Sequence, residues 1–374
     1  MEAQGSQGMT LDDLPTPCLV LDLGLLKRNL AAMQAAVARH PGLVLRPHLK
    51  TAKSIEVARL AAPDFGPVTV STLAEARYFA EAGWHDQIYA VGIVPAKLDA
   101  VAALNAAGAD VKVITDDLEV ARAIAAHPGK LRALIEVDVG EGRGGIPPDS
   151  PLLPEIGAAL GNRLAGVLSH SGHSYNGRTP QDMAAIAEGE RAGIVLAAER
   201  LHAAGLAVPI VSLGSSPTAL YARRMDGVTD VRAGVYMFGD LFQAQLGTHA
   251  VGDIAMTVLA SVIGRSEARN TLLLDAGGLA LSKDRSTQAA PHDYGFGLVL
   301  TREGQPMPGA PSIARAYQEH GEVRSDQPLP MLPLGSRLRV APNHTCMTAA
   351  AHDRYYVVDG GDDVIATWGR VNGW

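Results

Sequence analysis

Lys50 ends a short apolar run that begins at Leu43, and a cationic amine at the close of a buried strand is an unusual placement. In a parallel barrel such strand ends meet the loops where chemistry occurs, and desolvation beside other cations makes an amine nucleophilic enough to form a Schiff base. A second constellation, Gly214-Ser215-Ser216-Pro217-Thr218, leaves one strand and opens a helix. Its amides, hydroxyls and positive helix end suit a phosphate, with a plain capping turn as the alternative. An amine for an aldehyde and a cradle for a phosphate together describe pyridoxal 5'-phosphate. Near the C-terminus, His344 and Cys346 follow a strand in Pro342-Asn343-His344-Thr345-Cys346. If the chain stays extended, both side chains point to one side, which gives a zinc half-site completed by water or substrate. The alternative is an exposed histidine beside a buried apolar cysteine. His170, His173, Glu319 and His320 are further possible ligands or bases.

The elements that must position these residues follow from hydrophobic period. β-branched apolar runs recur near 43–46, 68–71, 87–93, 111–115, 132–139, 164–169, 209–213 and 230–238, each bounded by turn residues. Ala- and Leu-rich segments of helical spacing alternate with them, among them 54–61, 73–82, 95–107, 118–126, 182–204 and 216–223. The pattern predicts a (β/α)8 barrel over residues 24–245, with Thr72, Arg143, Tyr175 and Tyr236 at or just beyond strand ends. After about residue 246 the periodicity changes to strands and turns, predicting an antiparallel β domain over 246–374, joined by residues of about 9–23. The stretch 280–322, rich in Pro, Gly and charge, reads as a long loop.

Composition narrows the function classes. With 374 residues and 47% hydrophobic content the chain can fill two cores, since one core seldom exceeds roughly 250–300 residues. A net charge of -7, from 32 basic and 39 acidic residues without a basic block, argues against nucleic-acid binding. The first eight residues lack a basic start and an apolar core, and no run is long enough for a membrane span, so a cytoplasmic protein is expected. Cys18 and Cys346 are too few for a disulfide framework, and their separate contexts predict separate roles.

The motifs in their order resemble the D-serine dehydratase and D-threonine aldolase family, which has the alanine-racemase-like fold (type III) of pyridoxal-phosphate enzymes. The resemblance covers nearly the whole chain and rests on Arg46-Pro47-His48-Leu49-Lys50-Thr51, Ser71 to Ala76, Gly166 to Tyr175, Gly214 to Thr218, Val231 to Tyr236 and Pro342 to Cys346. Segments 275–285, 318–321 and the terminal Asn372-Gly373-Trp374 are similar to the 3-hydroxyaspartate dehydratases within it.

The resemblance implies that Lys50 carries the Schiff base, that Gly214, Ser215 and Tyr236 help hold the phosphate, and that Thr72, Arg143 and Tyr175 approach the cofactor. It implies metal ligation by His344 and Cys346. The thiolate favours Zn²⁺, whereas the aspartate that D-threonine aldolases tend to have at that place suits Mn²⁺ or Mg²⁺. It also implies a homodimer. The expected activity is dehydration followed by deamination of a D-configured β-hydroxy amino acid, D-serine, D-threonine or D-threo-3-hydroxyaspartate, to an oxo acid and ammonia. Arg143, Lys283 and Arg285 are candidates to hold a β-carboxylate. Retro-aldol cleavage on the same scaffold is the alternative; racemization leaves the metal pair without a task, and a non-catalytic cofactor carrier leaves the β domain without one.

Overall fold

The computed structural model describes residues 8–374. In chain order it contains β1 (Cys18–Asp22), α1 (Leu23–Val37), β2 (Val44–Pro47), α2 (Ile55–Ala61), β3 (Val68–Val70), α3 (Leu73–Glu81), β4 (Asp86–Gly92), α4 (Leu98–Ala106) and β5 (Asp110–Thr115). There follow α5 (Leu118–Ala126), β6 (Arg132–Val137), α6 (Leu152–Leu160), β7 (Leu164–Ser169), α7 (Pro180–Ala203), β8 (Ile210–Leu213), α8 (Ser216–Tyr221), β9 (Asp230–Ala233) and α9 (Leu241–Gln245). The remainder is β10 (Met256–Ser266), β11 (Thr271–Leu274), α10 (Gly278–Leu281), β12 (Leu298–Leu300), β13 (Ser312–Ala316), β14 (Gly321–Arg324), β15 (Arg337–Ala341), α11 (Thr345–Ala349), β16 (Arg354–Val358) and β17 (Ala366–Gly369). Two compact units result: one from residues 32–234 with 371–374, the other from residues 8–31 with 235–370.

The first unit is an eight-stranded parallel sheet in the order β2-β9-β8-β7-β6-β5-β4-β3. It closes through a parallel bridge between His48 and Thr69, where Leu49 N–H donates to Thr69 O at 2.8 Å, while His48 N–H donates to Ala233 O at 2.7 Å. The alternation seen in the sequence therefore becomes the barrel it predicts. Ile88, Ile114, Leu134, Ala165 and Leu168 form an apolar cluster within it. Charges also enter the strands. Buried Arg46 meets Asp86 at 2.9 Å and Asp230 at 3.4 Å, and buried Lys112 meets Asp86 at 2.9 Å. Pairing offsets their desolvation, which is why strands that read as apolar tolerate them.

The second unit holds a nine-stranded sheet whose members β10, β11, β14, β13, β12 and β15 close on themselves, because β10 pairs with both β11 and β15. β1 lies antiparallel to β10 and parallel to β16, so the first strand of the chain belongs to this sheet. The stretch 280–322 differs from its reading as a loop. β12, β13 and the start of β14 occupy it and complete the closure, being too short and too often interrupted by Gly and Pro to show a period of two. Leu241, Ile254, Leu298, Leu300 and Ala341 pack as one core of this unit, and Leu11, Leu14, Cys18, Val20 and Leu259 belong to another. Burial pushes the Cys18 thiol up to about 12, with Asp275 adding to the shift and Arg337 opposing it. Cys18 is a packing residue.

Candidate functional site

At the C-terminal mouth of the parallel barrel, β2 ends at Pro47, and the ties from His48 and Leu49 to both neighbouring strands deliver Lys50 into the following turn with its side chain exposed. His48 and His170 share this mouth. Burial holds the His48 imidazole well below its ordinary range, helped by the positive charges of Lys50 and Arg232 and by His170. His170 is lowered to about 3 by burial, with Lys50, Arg143 and Arg232 reinforcing the shift and a bond to Gly214 O opposing it. Its Nδ1 lies 2.9 Å from the Gly214 carbonyl; that oxygen accepts, so Nδ1 carries the proton and Nε2 keeps a lone pair. The mouth thus offers an accessible primary amine beside two neutral imidazoles.

The Gly214–Thr218 loop is shaped from within. Gly214 has φ +133, and a Cβ there would collide with the Arg232 carbonyl, so glycine is required by conformation and by close approach. Its N–H donates to Glu190 Oε1 at 3.0 Å, and the Ser215 N–H donates to Thr218 Oγ1 at 3.0 Å. These two amides, expected from sequence to face a phosphate, are turned inward. The Ser215 hydroxyl meets Ser174 Oγ at 3.0 Å, joining the loop to the segment after β7. Glu190, fully buried on α7, also accepts from Ser169 Oγ at 3.3 Å. Burial raises its pKa against the bonds from Thr218 and Gly214 and the charge of Arg232. Arg232 crosses the same interior, donating to Ser212 Oγ at 2.6 Å and to the Ser169 carbonyl, and burial lowers it to about 10 despite Asp230 and Glu190.

Thr72 caps α3, accepting the Glu75 N–H at 3.0 Å. Arg143 is exposed on the loop after β6 and lies 3.4 Å from Glu141. The Asp138 carboxylate shapes that loop, accepting from Gly140 N–H at 2.9 Å and Gly142 N–H at 3.1 Å. Tyr175, half-buried, lies in the 3-10 turn Gly172–Asn176. Lys50, Gly214, Ser215, Arg143 and Tyr175 therefore all sit on strand-end loops of one barrel. A donor-rich, cationic mouth with a free amine fits pyridoxal 5'-phosphate, the amine suited to its aldehyde and the cations and hydroxyls to its anionic groups.

The other predicted residues belong to the β unit. Tyr236 is buried in a 3-10 turn, its carbonyl 2.9 Å from His249 Nε2, and burial raises its phenol well above the ordinary range. His344 and Cys346 correct the extended geometry expected of them. The strand ends at Ala341, His344 is the N-cap of α11, and Cys346 lies in that helix's first turn. The two side chains nevertheless meet, the His344 imidazole donating to the Cys346 sulfur. Burial lowers the imidazole, yet Cys346, Asp240 and Asp284 outweigh it and bring His344 up to about 9.

Remote groups hold this segment. Buried Asp240 accepts the Thr345 N–H at 3.1 Å and the Gln243 N–H at 2.8 Å, clamping the starts of α11 and α9 together. Asn343 donates to the carbonyls of Asp284 at 3.0 Å and Gly295 at 2.8 Å. An imidazole and a thiol in contact are two of the donors a zinc site uses, and among the described residues no cluster of three His, Cys, Asp or Glu surrounds them. Glu319 and His320 are exposed in the β13–β14 turn. Arg285 pairs with Asp293 at 2.7 Å, and Lys283 is exposed.

Sequence reading missed Glu190, Arg232 and Asp240 as site-shaping groups. A charged residue inside an apolar strand marks Arg232. Asp240 carries a local signal only as the N-cap of α9, through Gln243, while its hold on Thr345 lies 105 residues away, and nothing local marks Glu190, whose partner Gly214 is 24 residues away.

Comparison with known proteins gives a consistent picture. The family model described as alanine racemase, N-terminal domain, matches residues 21–241, and a serine dehydratase domain model matches 255–358. The chain is 44% identical to the D-threo-3-hydroxyaspartate dehydratase of Delftia sp., over 98% of this chain and 99% of that protein. A solved structure of a D-threo-3-hydroxyaspartate dehydratase, a cysteine-to-alanine mutant in the metal-free form, superposes with TM-score 0.93 at 43% identity, covering 98% of this chain and 100% of the other. The D-threonine aldolase of Filomicrobium marinum superposes with TM-score 0.81 at 27% identity, covering 97% and 96%.

Proposed function

Because this chain belongs to the alanine-racemase-like family that contains the D-serine and D-threo-3-hydroxyaspartate dehydratases, we propose that it is a lyase using pyridoxal 5'-phosphate and a divalent metal. Its substrate is a D-configured β-hydroxy amino acid, and it releases ammonia and an oxo acid. The observation that carries this reading is the accessible Lys50 amine at a barrel mouth whose two imidazoles are held neutral.

Bound there, the cofactor supplies an electron sink for charge developing at the substrate Cα. Lys50 Nζ would be the base positioned to take the Cα proton. His170 Nε2 presents a lone pair to the same space, its ring fixed by the Gly214 carbonyl. Glu190 and Arg232 hold the phosphate-side loop in shape rather than touching substrate. His344 and Cys346 would supply nitrogen and sulfur donors for Zn²⁺, which as a Lewis acid would ease departure of the β-hydroxyl. The products balance as D-serine to pyruvate and ammonia, or 3-hydroxyaspartate to oxaloacetate and ammonia.

The thiol at position 346 favours elimination over retro-aldol cleavage, for which the family's aldolases tend to place an aspartate there. A homodimer in the cytoplasm completes the reading; among the described residues no helix is long and apolar enough to cross a membrane. The decisive experiment follows oxo-acid release from D-serine, D-threonine and both 3-hydroxyaspartate diastereomers, with and without EDTA. With D-threonine, 2-oxobutanoate and ammonia are expected. Acetaldehyde and glycine would make it an aldolase.

A further inference from the structure

A cavity of about 310 Å³ lies within the β unit, where the end of β1 and the start of α1 face the β12 hairpin. Its size is at the low end of small-molecule sites, roughly 300–1,000 Å³. Two of its wall residues are buried polar side chains. Arg339 on β15 is 6% exposed and Thr257 on β10 is 5% exposed. Neither Arg339 Nε nor Thr257 Oγ1 has a hydrogen-bond partner among the described residues.

No carboxylate pairs directly with Arg339 among the described residues, although Asp22, Asp362 and Glu303 favour its charge from a distance. Asp22 is committed to backbone, accepting from Leu25 N–H at 2.8 Å and Gly360 N–H at 3.2 Å. Arg302 takes Asp12 at 2.5 Å and Glu303 at 3.3 Å, and pairs with Asp362 as well. A buried guanidinium with an unmade bond and no ion pair is costly, and an anion relieves both deficits where water relieves only one.

The lip of the cavity carries both signs. A Cβ on Gly24 would lie 2.9 Å from Asp359 Oδ1 and 3.8 Å from Arg28 Nη1, so these exposed side chains flank one point. Asp22 and Glu303 add carboxylates to the walls, the first held by backbone amides and the second paired with Arg302. These carboxylates repel a dianion such as phosphate but welcome an ammonium. We propose that this cavity binds a free amino-acid zwitterion, its carboxylate on Arg339 and Thr257 and its ammonium toward Asp359. The site is built from residues that the proposed reaction does not use.

The test titrates glycine and L-serine into the cofactor-loaded enzyme by calorimetry while the cofactor absorbance is recorded. Binding with an unchanged spectrum is expected, since occupation of the Lys50 site would alter that spectrum. Arg339→Met should weaken glycine binding by about tenfold or more, the loss of a charged hydrogen bond. Thr257→Val should weaken it less, and acetate should bind the wild type more weakly than glycine. Arg339→Met removes an unpaired buried charge, so it should keep its fold and cofactor band; should it not fold, Thr257→Val decides. No binding heat in the millimolar range means that water fills the cavity, and equal affinity in wild type and variants means that the amino acid binds elsewhere. Either result overturns the proposal, and neither touches the lyase reading.

Discussion

The parallel barrel and the β unit present their reactive groups in opposite ways. At the barrel mouth the amine is exposed and its imidazole neighbours are stripped of charge by burial and adjacent cations. In the β unit a largely buried imidazole is instead pushed toward its charged form by the Cys346 sulfur as thiolate and by two carboxylates. The first environment suits an amine that must be reached and deprotonated; the second holds a nitrogen and a sulfur donor together around a shared proton that a metal ion would have to displace. One fold element supplies each: strand ends in the barrel, and a strapped helix start in the β unit.

Abolishing the barrel half of this contrast has the largest expected effect. Lys50→Ala should lower turnover by about 10⁴, the upper range for a positioned proton-transfer group. It should also remove the visible absorbance band of the bound cofactor. A retained band would take Lys50 out of its role. Attacking the β unit separates the two halves: Cys346→Ala, or EDTA, should cut elimination by about 10–100-fold or more while the cofactor band persists. Metal content measured alongside activity checks it, and full turnover without metal would remove the pair from the chemistry.

Smaller effects sharpen the comparison. Glu190→Ala leaves the Gly214 N–H and the Ser169 hydroxyl without their buried acceptor, a loss of about 1–3 kcal/mol visible as a lower unfolding midpoint. Glu190→Gln keeps an acceptor and should cost less. An unchanged midpoint in the alanine variant would show that the loop does not depend on this carboxylate.

The smallest effect concerns pH. His170 binds its proton only near pH 3 when folded but near 6.5 when unfolded, so the unfolded chain holds the extra proton in between. Its contribution is whole above the upper value and drains as pH falls through that window. His170→Gln should flatten the acid limb of the stability curve by up to one proton's slope, measured by denaturant titration at several pH values. An identical slope would contradict the neutral imidazole.

Much of the barrel was legible because each βα unit is local. Apolar runs bounded by turns mark β2 through β9, and the glycine-rich strand ends mark the loops that follow them. The β unit was less legible. β12, β13 and β14 are short, and their identity depends on closing a sheet with β11 and β15 rather than on their own pattern. The meeting of His344 with Cys346 was expected for the wrong geometry, an extended strand, and occurs at a helix start that Asp240 fixes from 105 residues away.

Residue identity and spacing alone determined the alternating barrel, the amine at position 50, the glycine-bearing turn at 214 and the presence of an imidazole and a thiol two positions apart. Tertiary structure decided which groups are charged and which way the loop amides point. Those properties come from desolvation and from partners distant along the chain, such as Glu190 beneath Gly214 and Asp240 at Thr345, and no local pattern encodes such contacts.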